Sequence, residues 1–345
     1  MTVEVVCTPD ELTSAWMGEA LGRPVDVRSV EAVGTGQIGA CYRVSLSGPG
    51  GDETVLAKLP AADPGTREML AGAYRGEVTF YADLAGTVAV VVPRCDFAAM
   101  RPGTGEFTLL LEDLAPAVQG DQLAGCSVEQ ARTAVVNLAG LHGPRWCDPS
   151  LTLVPGLTVN GPEDAAVLAE LYGPATETFM EGLGDLVSEE DVDTLHGCVE
   201  VAEPWALARS ERFALVHGDY RLDNLMFGTD DAVWAVDWQT LSLALPARDL
   251  AYFVGTSLDV GDRRGAERDL VAAYHAALVG HGVTAYDEEQ CWDDYRFAMV
   301  QGPLVAVFGY AYGTRTERGD RMFAAMVRRA CAAIRDLETL SLARG

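Results

Sequence analysis

Three short strand-like runs between residues 28 and 59 set the first limit on the fold. The runs RSVEAV, CYRVSLS and TVLAKL are separated by GTGQIG and SGPGGDE, which are rich in residues that turn the chain. This pattern predicts an antiparallel meander. Helical spacing over residues 66–85 and a further strand pair, TVAVVVP and FTLLLEDL, follow it.

Beyond residue 114 the pattern is mostly helical, with strand-like runs returning at 212–237. Two helix starts are predicted, because each has the sequence of a capping box: Thr8 with Glu11, and Ser127 with Gln130. We therefore predict an α+β fold of two lobes, an antiparallel-sheet lobe over residues 1–113 and a mostly helical lobe over residues 114–345.

Charge and cysteine usage exclude several kinds of partner. The chain carries 25 Lys and Arg against 51 Asp and Glu, a formal charge of −26, which repels a polyphosphate backbone, so nucleic acid is not expected as a partner. The eight cysteines contain no C-x-x-C pair, and no apolar run is long enough to span a bilayer. A cytoplasmic protein without a membrane partner is expected.

The stretch HGDYRLDNLMF, residues 217–227, places an aspartate and an asparagine, Asp219 and Asn224, between two apolar runs. The runs LMF and AVWAV are joined by GTDD and predict a hairpin with Phe227 opposite Ala232. In that register Asp237 is a diagonal neighbour of Asn224, at about 7 Å between Cβ atoms, as two ligands of one metal ion require. The hairpin therefore predicts half of a magnesium site formed by Asn224 and Asp237.

Asp219 lies just outside this hairpin, within reach of a hydroxyl held beside the metal. A carboxylate at that point orients a nucleophile and accepts its proton. Base and metal ligands together are the arrangement of phosphoryl transfer. The alternative is a solvated hairpin whose Asp and Asn only cap turns.

HGDYRLDN and VDWQ resemble the catalytic loop and metal aspartate of the aminoglycoside phosphotransferase and choline kinase superfamily, which has a protein-kinase-like fold. The stretches GTGQIGACYRV, EVTFYADL, LLLEDL and DWQTLSLALPARDLAYF are most similar to the ecdysteroid-kinase-like phosphotransferases of bacteria. The resemblance implies Asp219 as catalytic base and Asn224 and Asp237 as magnesium ligands. It also implies that Asp249 braces the loop, although a helix-capping role fits Asp249 equally.

Lys58 interrupts an apolar strand, and Glu77 interrupts the apolar stripe of the next helix. Each charge alone is costly to bury, so an ion pair between them is predicted, with Glu68 as a rival partner that lies off the stripe. In the resembling family such a pair orients the lysine onto the α- and β-phosphates of ATP.

Gly34, Gly36 and Gly39 lie between two strand-like runs, and no helix follows them. This context favours a glycine flap over ATP phosphates rather than a dinucleotide-binding turn. A flexible hairpin is the simpler alternative. The resemblance also places a hinge at FTLLLEDLA, where backbone groups from Glu112 to Leu114 would pair with adenine.

The sequence thus predicts an ATP- and Mg²⁺-dependent small-molecule kinase that transfers phosphate to a hydroxyl, with a partly apolar alcohol as the expected acceptor. A non-catalytic nucleotide-binding regulator of the same fold is the alternative. A nicotinamide-dependent oxidoreductase, indicated by the glycines alone, ranks last.

Overall fold

The computed structural model describes residues 3–34, 39–229 and 232–344. The chain forms two compact units. The first contains the residues up to Thr87, Val92–Pro116 and Val236–Leu241, and the second contains Val88–Val91, Ala117–Ala235 and the residues from Ser242 onward. A single boundary after residue 113 therefore does not describe the two units. Val88–Val91 belongs to the second unit although its sequence neighbours belong to the first, and Val236–Leu241 belongs to the first unit although its neighbours belong to the second.

The first unit is built on a five-stranded sheet in the order β1-β2-β3-β5-β4, with all neighbours antiparallel. Its strands are β1 Asp26–Val33, β2 Ala40–Gly48, β3 Gly51–Leu59, β4 Cys95–Met100 and β5 Phe107–Glu112. The predicted meander is confirmed as β1 to β3. The predicted strand TVAVVVP is wrong. Val91 N–H donates to Asn137 Oδ1 and Val91 O accepts from Ala235 N–H, and Val88–Val91 belongs to the second unit.

The helices of the first unit are short. They are α1 Ser14–Ala20, α2 Pro64–Met69 and α3 Ala71–Thr79, and a π-helical turn, Phe80–Leu84, continues α3. The capping box of Thr8 and Glu11 is present, but it encloses only a 3-10 turn. Helix α1 begins later because Thr13 caps it, its Oγ1 accepting from Trp16 N–H at 3.3 Å.

The second unit is mostly helical, as predicted. Its helices are α4 Val128–His142, α5 Pro162–Leu183, α6 Glu189–Leu207, α7 Ala247–Ser257, α8 Val260–Gly280, α9 Glu288–Ala298, α10 Gln301–Tyr312, α11 Glu317–Asp336 and α12 Thr339–Arg344. Its strands are β6 Val118–Gln119, β7 Ala214–Val216, β8 Leu225–Phe227, β9 Val233–Ala235 and β10 Ser242–Ala244. The second predicted capping box, Ser127 with Gln130, opens α4. No helix in the described part of the chain is both long enough and apolar enough to cross a bilayer.

The hairpin of β8 and β9 has a register one residue away from the predicted one. Phe227 pairs with Val233 and not with Ala232, since Gly228 N–H donates to Ala232 O and the loop is one residue longer. Asn224 precedes the strand and ends the 3-10 turn Leu222–Asn224. The prediction that Asp237 is the diagonal neighbour of Asn224 is therefore wrong, and the metal roles predicted for the two residues keep only the support of the motif resemblance.

Candidate active site

In the second unit, the 217–224 loop is held by the buried carboxylate of Asp249, in the first turn of α7. Asp249 Oδ2 accepts a hydrogen bond from His217 N–H at 2.6 Å, and Oδ1 accepts one from Gly218 N–H at 2.9 Å. Gly218 has a φ of 80°, a backbone conformation that would be strained for a residue with a side chain. The bracing role that the resemblance implied for Asp249 therefore agrees with its contacts.

Asp249→Asn tests this brace. An amide has one oxygen, so one of the two backbone donors would face an NH₂ group, and we expect the free energy of unfolding to fall by about 2–3 kcal/mol. Urea denaturation measures the change. The exposed Asp269 on α8 gives a matched control, and Asp269→Asn should change stability by less than about 0.5 kcal/mol. Equal stability of the two variants would mean that the carboxylate does not support the loop.

The carboxylate of Asp219 is fixed by three donors of the second unit. Tyr252 donates its hydroxyl to Oδ1 at 2.8 Å, while Asn224 Nδ2 and Arg221 Nε donate to Oδ2 at 2.9 and 3.1 Å. About a quarter of the Asp219 side chain remains exposed, at 24%. A carboxylate that is both oriented and accessible is suited to accept a proton from a bound hydroxyl.

Asn224 is buried, and its amide nitrogen also donates to the backbone oxygen of Asp219 at 2.9 Å. Both of these contacts use the nitrogen, so the amide oxygen can coordinate a hard cation. Among the residues described, no group of three or more His, Cys, Asp or Glu is arranged to hold a metal. Mg²⁺ does not require such a cage, because one or two protein oxygens and substrate phosphates commonly hold it.

A second layer of contacts supports the loop through Gln122, which is fully buried. Its Oε1 accepts from Leu222 N–H at 2.8 Å, and its backbone N–H donates to Asp223 Oδ1 at 2.9 Å. Burial alone would raise the pKa of Asp223, but hydrogen bonds from Arg318 and Gln122 hold this pKa below its usual value. Asp223 is thus a charged structural acceptor.

In the first unit, Lys58 on β3 forms the predicted ion pair, with its Nζ 2.7 Å from Glu77 Oε2. Nζ is also 3.2 Å from Asp237 Oδ1. The rival Glu68 is exposed on α2. Burial would lower the pKa of Lys58, but the charges of Glu77 and Asp237 raise it above its ordinary value, so this lysine is a cation at neutral pH. Burial raises the pKa of Glu77, and Lys58 opposes that shift.

The segment Val236–Leu241, which carries Asp237, belongs to the first unit. Trp238 stacks on Phe80 with ring centroids 3.5 Å apart, and Gln239 Nε2 donates to Glu77 Oε2 at 3.3 Å. Asp237 has a φ of 68°, in the left-handed region that few non-glycine residues adopt. Strained backbone of this kind is concentrated at functional sites.

Of the three glycines of the predicted flap, Gly34 and Gly39 are described and Gly36 lies outside the described residues. Gly34 has a φ of 74°, which favours glycine. A Cβ on Gly39 would lie 3.0 Å from the backbone oxygen of Leu59, so the close approach of the chain to β3 favours glycine. The two positions thus have structural reasons to be glycine.

The predicted hinge residues lie at the end of β5. Glu112 N–H donates to Arg94 O at 2.8 Å, so this donor is not available to an adenine. Asp113 is bound by Arg43 Nε at 2.6 Å. An adenine contact at this hinge would therefore use other backbone groups of residues 112–114, such as those of Leu114.

Sequence reasoning missed Arg221, Tyr252 and Gln239. Arg221 lies inside the quoted motif, two residues after Asp219, so its proximity could have been noticed. Tyr252 follows Asp249 by three residues, which places both on one face of a helix. Nothing in the sequence indicated the contact between Gln239 and Glu77, which depends on how the segment after β9 packs against α3.

A family match covers the segment that carries most of these residues. Residues 174–283, which include the 217–224 loop, Asp237 and Asp249, match the Ecdysteroid kinase-like family. A stretch of 51 residues is 51% identical to acyl-CoA dehydrogenase family member 10 of Mus musculus, and it covers 14% of this chain and only 5% of the mouse protein.

Solved structures match over most of the chain. A choline kinase from Cryptosporidium parvum aligns with a TM-score of 0.54 and 10% identity, over 92% of this chain and 91% of that one. Spectinomycin phosphotransferase, solved with ADP and spectinomycin, aligns with a TM-score of 0.53 and 12% identity, over 91% and 94%. A macrolide 2′-phosphotransferase from Brachybacterium faecium aligns with a TM-score of 0.50 and 18% identity, over 94% of this chain and 96% of that one.

At these identities the structural matches establish the fold, which is protein-kinase-like. The resemblance to ecdysteroid-kinase-like proteins is confirmed over residues 174–283 by the family match, and the likeness to the phosphotransferases and to choline kinase is one of fold. The predicted fold class is confirmed with it.

Proposed function

We propose that the protein is an ATP- and Mg²⁺-dependent small-molecule kinase, which transfers the γ-phosphate of ATP to a hydroxyl group. The observation that carries this proposal is the environment of Asp219. Its carboxylate is oriented by Tyr252, Asn224 and Arg221 in a loop fixed by Asp249, while a quarter of the side chain stays accessible. The fold is that of known small-molecule phosphotransferases, which supports the same reaction class.

Asp219 and Asn224 divide the work at the acceptor end of the reaction. Asp219 orients the acceptor hydroxyl and takes its proton as the oxygen attacks phosphorus. Asn224 holds Asp219 through its amide nitrogen and offers its oxygen to a magnesium ion, for which Asp237 is the second proposed ligand. When bound, Mg²⁺ neutralises charge on the phosphate oxygens.

Lys58 binds the α- and β-phosphates, and Glu77 fixes the direction of the lysine side chain through their ion pair. We assign Gly34, Gly36 and Gly39 to the chain that covers the phosphates, and backbone groups between Glu112 and Leu114 to the adenine edge. These assignments follow the sequence resemblance.

For the acceptor we propose a partly apolar alcohol. Two aromatic residues of α10 support this: Tyr312 is 63% exposed, and its ring centroid lies 5.7 Å from that of the half-buried Phe308. The third aromatic residue of the stretch, Tyr310, is buried and packs against Phe179. An accessible aromatic pair favours an apolar ligand surface over a strongly hydrated one.

We further propose that the enzyme works in the cytoplasm on a small-molecule partner. All eight cysteines are free thiols, which suits a reducing compartment. Burial raises the pKa of Cys126, Cys198 and Cys291, in each case to about 12, so these thiols are poor nucleophiles at neutral pH.

Magnesium-ATP at about 100 times its dissociation constant should stabilise the protein by about 2.7 kcal/mol, because it binds only the folded state. NAD at the same concentration should leave the melting temperature unchanged. ADP release across a panel of alcohols then separates an enzyme from a non-catalytic regulator, and chelation of magnesium should abolish the release. Binding of ATP without formation of ADP in the presence of any alcohol would favour the regulator. Stabilisation by NAD alone would contradict both the kinase and the regulator.

A further inference from the structure

Helix α7 contacts the 217–224 loop directly through two residues of one face, and a third residue of that face reaches the loop through Gln122. Asp249 accepts from the backbone of His217 and Gly218, and Tyr252, one turn later, donates to the side chain of Asp219. Another turn along, Thr256 O accepts from Gln122 Nε2 at 3.0 Å, and Gln122 Oε1 accepts from Leu222 N–H. Spacings of three and four residues place these side chains in one row. The helix therefore holds the loop directly at its start and at Asp219, and it holds Leu222 through Gln122.

Of these contacts, only that of Tyr252 acts on the reacting carboxylate itself. Tyr252 is 1% exposed, and its hydroxyl lies 2.8 Å from Asp219 Oδ1. Burial, with a smaller contribution from the charge of Asp219, raises the pKa of Tyr252 well above its ordinary value. Its hydroxyl is therefore protonated at neutral pH and serves as a donor. A phenylalanine would fill the same space, so packing alone does not account for a hydroxyl group at this position.

The two oxygens of Asp219 differ in how many donors they meet. An ionised carboxylate has about four acceptor directions, two on each oxygen. Oδ2 uses both, with Asn224 Nδ2 at 2.9 Å and Arg221 Nε at 3.1 Å. Among the contacts of described residues, Oδ1 accepts one hydrogen bond, from Tyr252. The remaining direction on Oδ1 is the one that an acceptor hydroxyl can use.

We propose that Tyr252 is a positioning residue of phosphoryl transfer, which fixes the Asp219 carboxylate so that Oδ1 receives the proton of the acceptor. This inference rests on the proposed kinase function. In the step, the acceptor oxygen forms a bond to the γ-phosphorus, the bond from that phosphorus to the bridging oxygen breaks, and ADP leaves with the bonding electrons. The acceptor O–H bond breaks and its proton moves to Asp219 Oδ1. Tyr252 keeps its own proton throughout.

Without the Tyr252 hydroxyl, the carboxylate keeps its donors on Oδ2 but loses one of the three contacts that restrict its rotation about Cβ–Cγ, the one on Oδ1. A second direction on Oδ1 also opens to water. Both changes act on the orientation of the base and leave Lys58, Glu77 and Asp237 untouched. The effect therefore belongs in kcat, whereas binding of ATP should not change.

The test uses Tyr252→Phe in the 345-residue chain, with magnesium-ATP and the panel alcohol that gives the highest rate of ADP formation. Tyr295→Phe is the matched control, because Tyr295 is also a buried tyrosine and donates instead to Glu267 Oε2 at 3.0 Å. We expect kcat to fall about 10- to 100-fold in Tyr252→Phe, the range found for residues that orient the ligands of metal sites. The KM for ATP should stay within about twofold, as in the control.

Replacement of Tyr252 by 4-aminophenylalanine keeps a donor at the same ring position and should restore most of kcat. This variant also keeps the test valid if Tyr252→Phe folds poorly, because it retains the hydrogen bond to Asp219. Parent-like kcat in Tyr252→Phe, or a loss that 4-aminophenylalanine does not restore, would overturn the role of Tyr252. A parent protein that forms no ADP with any alcohol would instead overturn the proposed function, so the two failures are distinguishable.

Discussion

Asp219→Asn should lower the rate of phosphoryl transfer by about 10²- to 10⁴-fold, the usual contribution of a general base. The geometry of the loop should survive the change. The amide oxygen can take the place of Oδ2 and accept from Asn224 and Arg221, while the amide NH₂ faces the hydroxyl of Tyr252, which can turn to accept. What the variant loses is a group able to take the acceptor proton.

Initial rates of ADP formation and isothermal titration with magnesium-ATP measure the two halves of this prediction. The dissociation constant of ATP should stay within about twofold of the parent value, because the base contacts the acceptor and not the nucleotide. Asp269→Asn, an exposed aspartate of α8, is the control for a nonspecific loss of charge. Transfer at the parent rate in Asp219→Asn would show that another group accepts the proton.

Lys58→Met should destabilise the first unit and abolish productive ATP binding. Glu77 is 1% exposed, and in the variant its carboxylate keeps the contact with Gln239 but loses the ammonium group 2.7 Å away. Removing one partner of a buried ion pair typically costs about 3–5 kcal/mol, because the other charge is left in an environment of low polarity. Urea unfolding of the variant and the parent measures this cost.

The cost should depend on pH in a defined direction. Burial already raises the pKa of Glu77, and loss of Lys58 removes the positive charge that opposes this shift, so the pKa rises further. The folded variant then holds a proton that the unfolded chain releases, and its stability falls as pH rises from about 5 to about 8. The deficit relative to the parent should therefore be smaller at about pH 5 than at about pH 8.

The double variant Lys58→Met with Glu77→Gln removes both charges and provides the control. It should recover a large part of the lost stability and show little of the pH dependence, yet it should still fail to bind ATP productively. If Lys58→Met were as stable as the parent at about pH 8, the pair would not be buried in the way its contacts indicate.

The Lys58 and Glu77 pair could be predicted because a charge that interrupts an apolar pattern needs a partner, and that requirement is visible in the sequence. The hairpin register could not be predicted in the same way. Its loop is one residue longer than GTDD alone indicates, and a change of one residue alters every pairing along two strands. The proposed metal roles of Asn224 and Asp237 therefore depend on the motif and not on the predicted pairing.

The contacts around Asp219 depend on tertiary packing. Tyr252 and Gln122 reach the 217–224 loop only because α7 and the chain before α4 lie against it, and no local pattern in the sequence specifies that packing. The segment TVAVVVP, residues 87–93, does not form the predicted strand for the same reason. Its hydrogen bonds go to Gly140, Asn137 and Ala235, all distant in sequence.

The most direct measurement is mass spectrometry of a metabolite extract incubated with the protein, magnesium and ATP carrying heavy oxygen on the γ-phosphate. A kinase of the proposed kind should produce at least one small molecule that is heavier by a labelled phosphoryl group, and Asp219→Asn should produce none above background. A parent protein that yields no labelled small molecule, or equal yields from the parent and Asp219→Asn, would contradict the assignment.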